Sequence, residues 1–528
     1  MAVIKKNQTI APFLGAKLNF IPGQDPMGML NIGEQIFSML LSGLNNVTDR
    51  IRYYSFYCWF FGWYAKEIGS ENPKEQRNFL RRAEYLLALM SVPENEGGIA
   101  GITEALKNYS EDATSFSLHE GTGELEDVTE KTYWKNPRGV FGQNYVSSMR
   151  QMGLLRDKNE NSGIYIRTAF DKEAVVTGKD LEEAFNLNLS ESSKSIFINT
   201  LNTCTISKED LLAVKDDFYM INVKVDSLEN SLLKDMLVEV DQPTTSNEFY
   251  FRRNTIALYL SQINESPNLV TVQDFVNYCY VNQGKYQDEV NDTIMGWYYY
   301  QLSQYWHIVC TSHLKHFLGA LQDKSDSGWY VEDVLVKELT EEIVSELKRA
   351  YNITENSNFS DLNVLQESNS EIVKSIHTKS YIEGFCNGLL LLRKLMVENK
   401  NTITEQFNYA KKYKLHSTSD FVAVYKDLEQ RAELPISEFV TIFLKKYILN
   451  RHQMVALNKM NATQSTEKFL REDGFIRFVS HIDFDFSNPR LGNLITFLKN
   501  LGIISKDGIE LTSNGLKLQK QLSECWKD

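Results

Sequence analysis

The densest run of metal-ligand side chains in the chain is His307-x-x-Cys310-x-x-His313-x-x-His316. Histidine and cysteine at three-residue spacing are zinc-ligand types, and any adjacent pair could chelate an ion from one helix. Each three-residue step turns about 300°, so the ligand direction slips by about 60° per step and His316 faces opposite His307. One continuous helix therefore cannot close a tetrahedral site with all four. Two readings follow: a buried Cys310 among polar-face histidines, or a site built on His313 and His316 with ligands from elsewhere. No cofactor is expected.

A second constellation is "NRHQMVALNKM" (450–460) followed by "STEKFLREDGFIRFVSHIDFD". His452 and Lys459 are seven residues apart and so share a helix face. Glu472, Asp473, Asp483 and Asp485 follow closely. An imidazole, a lysine and carboxylates brought together could serve a metal-dependent nuclease, with His452, Lys459, Glu472 and Asp483 as the candidates. The spacing does not reproduce a D…E-x-K core, and a solvated strand and turn is the competing reading. The chain contains no G-x-x-x-x-G-K-[ST], no H-E-x-x-H and no G-x-S-x-G. This weakens the case for an NTPase, a zincin or an α/β-hydrolase.

The elements that must position these residues read mostly as helices. Ten prolines and 28 glycines in 528 residues, with long 3.6-period stretches, predict a mainly α protein: a multi-helical bundle body carrying small winged-helix-like α/β units. One such unit is read in "VSSMRQMGLLRDKNENSGIYIRT", a helix leaving through Gly-Leu-Leu into an alternating strand. The other is "NPRLGNLITFLKNLGIISKDGIELTSNG", where Asp507-Gly508 is a hairpin signal. The second is the better match, with Ser487-Asn488-Pro489 as its cap and first-turn proline. In such units the helix and wing present basic residues to phosphates or to a protein. The candidates are Arg150 and Arg156 around the first and Arg490, Lys499 and Lys506 around the second.

Between Arg50 and Tyr64, nine of fifteen residues are aromatic. Asn46 reads as the N-cap of this helix, with Asp49 in its first turn. The helix is apolar almost all round and so reads as buried core, too short to span a membrane. Its entrance, Arg50, Arg52 and Tyr53, is a further candidate for contact with nucleic acid or a partner. Six regions are expected: 1–130 with the aromatic helix, 131–235 with the first helix–wing unit, and 236–351 with a second aromatic helix. A linker or mobile loop at 352–370, a helical bundle at 371–462 and the second helix–wing unit at 463–528 follow.

A net charge of −13 argues against a protein that coats nucleic acid non-specifically, while leaving room for a local basic patch. Six scattered cysteines without a C-x-x-C pair read as reduced thiols. With no secretory h-region in "MAVIKKNQTIAPFLGAK", a cytoplasmic protein is expected.

The front segment "DPMGMLNIGEQIFSMLLSGLNNVTDRIRYYSFYCW" resembles the opening of large bacterial proteins associated with antiphage-defence genes. The matching positions are Asp25, Pro26, Gly28, Gly43, Leu44, Thr48, Arg50, Arg52, Tyr53 and Tyr54. The His452–Lys459 helix and the C-terminal Leu-Gly-Ile-Ile share the pattern, which covers about a quarter of the chain and specifies no reaction. The resemblance implies a defence context. In that context the expected function is a helical sensor or scaffold that binds another protein of the same system, or DNA, through its winged-helix-like units. A nuclease effector and a transcriptional regulator are the alternatives.

Overall fold

The computed structural model describes residues 19–94, 98–122, 138–160, 162–170, 174–238, 247–266, 268–284, 288–351, 353–354, 356–378 and 380–524. Among these the fold is mainly α, with strands only in sheets of two or three. No helix of the described residues is long and apolar enough to cross a membrane. The chain divides into two compact units, each discontinuous in sequence: 1–35 with 299–487, and 36–298 with 488–528. The two units thus alternate along the sequence, each built from two segments.

The unit of 1–35 and 299–487 is organised on the greater part of the helix Asp288–Ser325. Leu302, Trp306, Val309, Cys310, Leu314, Phe317 and Leu321 are all fully buried there. The Trp306 ring meets Phe421, Phe443 and Tyr447 edge-on, and its indole N–H donates to the Ser419 carbonyl at 2.8 Å. Helix Ile436–Ile442 runs through a π-helical stretch, Phe443–Leu449, into helix Asn450–Lys459. A three-stranded antiparallel sheet places Phe475–Phe478 between Trp329–Val331 and Phe469–Glu472, with Ile476 opposite Tyr330 and Arg471. Asn19–Phe20 pairs in parallel with Gln464–Ser465.

Within the stretch 352–370, expected as a linker or mobile loop, Phe359 and Ser360 are anchored. Phe359 is fully buried and stacks on Phe439 at 3.8 Å, and the Arg393 guanidinium donates to the Ser360 carbonyl at 2.6 Å. The polar composition hid a single aromatic anchor.

In the other unit the aromatic helix Arg52–Trp63 is buried at every position, as its all-round apolar surface requires. Tyr57 packs on Phe141 at 5.1 Å, Tyr53 on Tyr145 at 5.3 Å, and Trp59 on Phe197 at 5.6 Å. Gly62 permits close approach to the helix Gly178–Leu187: a Cβ there would lie 2.3 Å from the Glu182 carboxyl carbon. In place of the expected Asn46 cap, the N-cap position is Ile51 with no side-chain cap, and Asn45 accepts from the amides of Val47 (2.9 Å) and Thr48 (2.8 Å) in the turn ahead of the helix.

Both helix-then-hairpin segments occur in this unit. Helix Val146–Gln151 leads through Gly153 into strand Leu155–Asp157, which pairs with Tyr165–Arg167. Helix Leu491–Asn500 leads through Gly502 into a turn closed by one bridge, Ile504 to Leu511, then helix Ser513–Glu524. The longer ladder is therefore in the first copy. Pro489 lies ahead of the C-terminal copy's first helix rather than in its first turn, and Arg490 takes the cap position in a left-handed conformation.

Candidate functional site

The turn Gln24–Gly28 exposes its carbonyls to one side, and helix Asn450–Lys459 supplies a side-chain N–H donor for each. The Lys459 ammonium donates to the carbonyls of Gln24 (2.7 Å) and Asp25 (2.8 Å). His452 Nδ1 lies 2.9 Å from the Pro26 oxygen, and the Arg451 guanidinium reaches Met27 (2.8 Å) and Gly28 (2.9 Å). Asp25 meanwhile accepts from the amides of Met29 and Leu30, starting the helix Leu30–Leu40. Gly28 has φ +62°, and a Cβ there would lie 2.8 Å from a Val455 methyl, so only glycine fits without displacement.

His452 and Lys459, read from the sequence as candidates for chemistry, are thus both engaged with backbone carbonyls. The Nε2 of His452 accepts from the Lys468 amide at 3.0 Å, which fixes the proton on Nδ1 and occupies both ring nitrogens. Burial pushes the imidazole pKa down to about 4, aided by the nearby Lys468, Lys459 and Arg471 charges against the pull of the Pro26 carbonyl. The ring is a tether between two backbone segments. Glu472 is exposed at the end of its strand. Asp483 is exposed and pairs with Lys315 at 2.9 Å, which holds its carboxyl below the usual range. His452, Lys459 and Asp483 thus have separate partners.

His313 and His316 are likewise packing residues. Each ring fills a notch left by a glycine of helix Tyr381–Asn399: a Cβ on Gly388 would lie 2.4 Å from His313, and one on Gly384 2.2 Å from His316. His313 Nδ1 is 2.6 Å from the Val309 carbonyl of its own helix. Desolvation lowers the two imidazoles to about 3 and about 4, so both are neutral. Among the described residues no group of three or more histidine, cysteine, aspartate or glutamate side chains is placed to hold a metal ion.

The arginines separate into buried and displayed. Arg52 and Tyr53, expected at a cleft entrance, are buried. Arg52 pairs with the fully buried Glu229 at 3.2 Å and lies 5.0 Å over the Phe185 ring. Glu229 also accepts from Asn188 at 2.7 Å, so the ion pair has the additional hydrogen bonds that burial demands. Arg50 is half-buried. Arg490 donates to the Leu44 carbonyl at 2.7 Å and lies 4.8 Å over the Phe37 ring, which commits it to packing. Lys499 is half-buried beside Gly508, and Lys506 is exposed.

Around the first hairpin the pattern differs. Gln76 grips the backbone of Tyr165 from both sides, accepting from its amide and donating to its carbonyl, each at 2.9 Å. Arg138 and Arg150 lie over the Tyr165 ring at 5.9 and 5.4 Å, within cation–π range. Arg150 also pairs with Asp157, Arg167 with Glu182, and Lys158 with Glu71. Arg156 stands opposite Ile166 in the ladder and is exposed, as is Phe170 just beyond the second strand. The aliphatic residues near the C-terminal hairpin contrast with this: Val225, Leu269 and Ile509 are exposed, with Val225 against Gly502 and Leu269 against Gly508.

Sequence reasoning missed Gln76, Arg167 and Glu84. Glu84 is fully buried and accepts from the amides of Val140 (2.9 Å) and Phe141 (2.7 Å) and from the Tyr57 hydroxyl (2.9 Å). Burial raises its carboxyl to about 7 despite those donors and the Arg81 charge. Its helical repeat places it among apolar neighbours, which was the available signal.

Comparison with protein-family models, with curated proteins and with solved structures finds no match to the chain.

Proposed function

We propose that the chain is a helical docking scaffold that engages its partner through winged-helix-like helix–hairpin units, in the antiphage-defence setting implied by its N-terminal segment. The observation that supports this reading is the mounting of the first hairpin. Its inward residue Tyr165 is fixed through backbone and ring, while its outward pair, Arg156 and Ile166, is left to solvent to different degrees. A rigid base with a displayed edge is what a binding element requires, since little order is lost on docking. The same order of helix, hairpin and helix recurs at the C-terminus with an apolar instead of a basic surround.

The test is site-specific photo-crosslinking in bacterial cells from Ile166, from Ile509 and, as a control in the other unit, from the exposed Phe407. Adducts from a hairpin position above those at Phe407 are expected. Equal yields at all three positions would overturn the reading.

A further inference from the structure

We infer that the hairpin Leu155–Arg167 binds a single strand of nucleic acid, its arginines taking the phosphates and Phe170 stacking on a base. This rests on the docking reading above and narrows its partner to one chemical class.

The charge is local. Arg77, Arg138, Arg150, Arg156, Lys158 and Arg167 gather at this hairpin on a chain whose net charge is −13. Asp157, Glu182, Glu71 and, at the tip, Glu160 offset part of it. A uniformly acidic protein repels phosphate, so a cationic cluster at one hairpin confines any such contact to that place.

The geometry favours phosphate over a carboxylate-bearing peptide. Arg138 lies over the Tyr165 face and carries the planar guanidinium that takes phosphate oxygens two at a time, whereas Arg150 gives its donors to Asp157. Arg156 has the same chemistry on the outward side of the ladder. Phe170 adds the second half of the signature. It is 77% exposed and three residues beyond Arg167 in the chain, and a solvated ring is a stacking platform for an unpaired base. A duplex buries the base faces that such a ring would need.

The experiment is fluorescence anisotropy of labelled 20-nucleotide single-stranded DNA, single-stranded RNA and duplex DNA with the full chain at 50 and 200 mM salt. Both variants, Arg156→Gln and Phe170→Ala, change exposed side chains, which keeps the fold intact. Single strands are expected to bind more tightly than the duplex, and more weakly as salt rises. Arg156→Gln should reduce the logarithmic salt slope by about 0.7, the share of one single-strand phosphate. Phe170→Ala should weaken binding about 5-fold or more and leave the slope unchanged. The DNA and RNA arms decide which sugar is accepted.

Absence of binding at 50 mM salt, or variants that both match the parent, would overturn the inference. If Ile166 still yields crosslinks that protease alone removes, the docking reading stands and its partner is a protein. If neither hairpin yields crosslinks, both readings fall.

Discussion

The ring of His452 joins the carbonyl of Pro26, 426 positions earlier, to the amide of Lys468, sixteen positions later. Both backbone groups sit where water would otherwise have to reach them, and His452 itself is 1% exposed. Replacement by alanine removes two hydrogen bonds and strands a buried donor and acceptor. His452→Ala should therefore destabilise the unit by about 2–4 kcal/mol. Urea unfolding measures it, and a loss below about 0.5 kcal/mol would show that the tether is dispensable.

The glycine notches make a second expectation. Gly388→Ala brings a methyl within 2.4 Å of His313, and overpacking of this kind costs about 1–3 kcal/mol, against about 1 kcal/mol of helix propensity gained. The single variant should lose stability. Combined with His313→Ala it should recover, because the methyl then occupies the space the ring has left. Additive losses in the double variant would contradict the notch.

Glu84 sets a pH dependence whose sign is opposite to that of the buried histidines. Its carboxyl rises from 4.5 to about 7 on folding, so the folded chain keeps a proton that the unfolded chain releases. Its contribution is complete below about pH 4.5 and is lost as pH rises toward 7, at about 1.4 kcal/mol per pH unit. His452 falls to about 4, so its contribution is present above pH 6.5 and is lost as pH falls toward 4. Glu84→Gln should be less stable than the parent at pH 5, with the gap narrowing by pH 8. Denaturation of both proteins across that range checks it, and a pH-independent gap would rule the titration out.

What the sequence revealed depended on how local the cause was. The aromatic helix is legible because its apolar residues cover every face, and burial on all sides follows from that alone. The first hairpin is legible from Gly153 and the alternation of Leu155 to Arg167. Roles that need a distant partner were not. Arg52 looks available until Glu229, 177 residues on, is brought beside it. His452 and Lys459 share a helix face as their spacing requires, yet what that face meets is a row of carbonyls, and carbonyls leave no mark in a side-chain pattern. In 352–370 the polar composition gave no sign that Phe359 stacks on Phe439.

The carbonyl row of Gln24–Gly28 also carries a timetable. A ribosome adding about 5–20 residues per second needs about 20–85 s after making Pro26 before His452 exists. In that interval the whole of 36–298 is synthesised, while the first segment still lacks its partner helix. The turn Gln24–Gly28 is therefore made well before the helix that secures it.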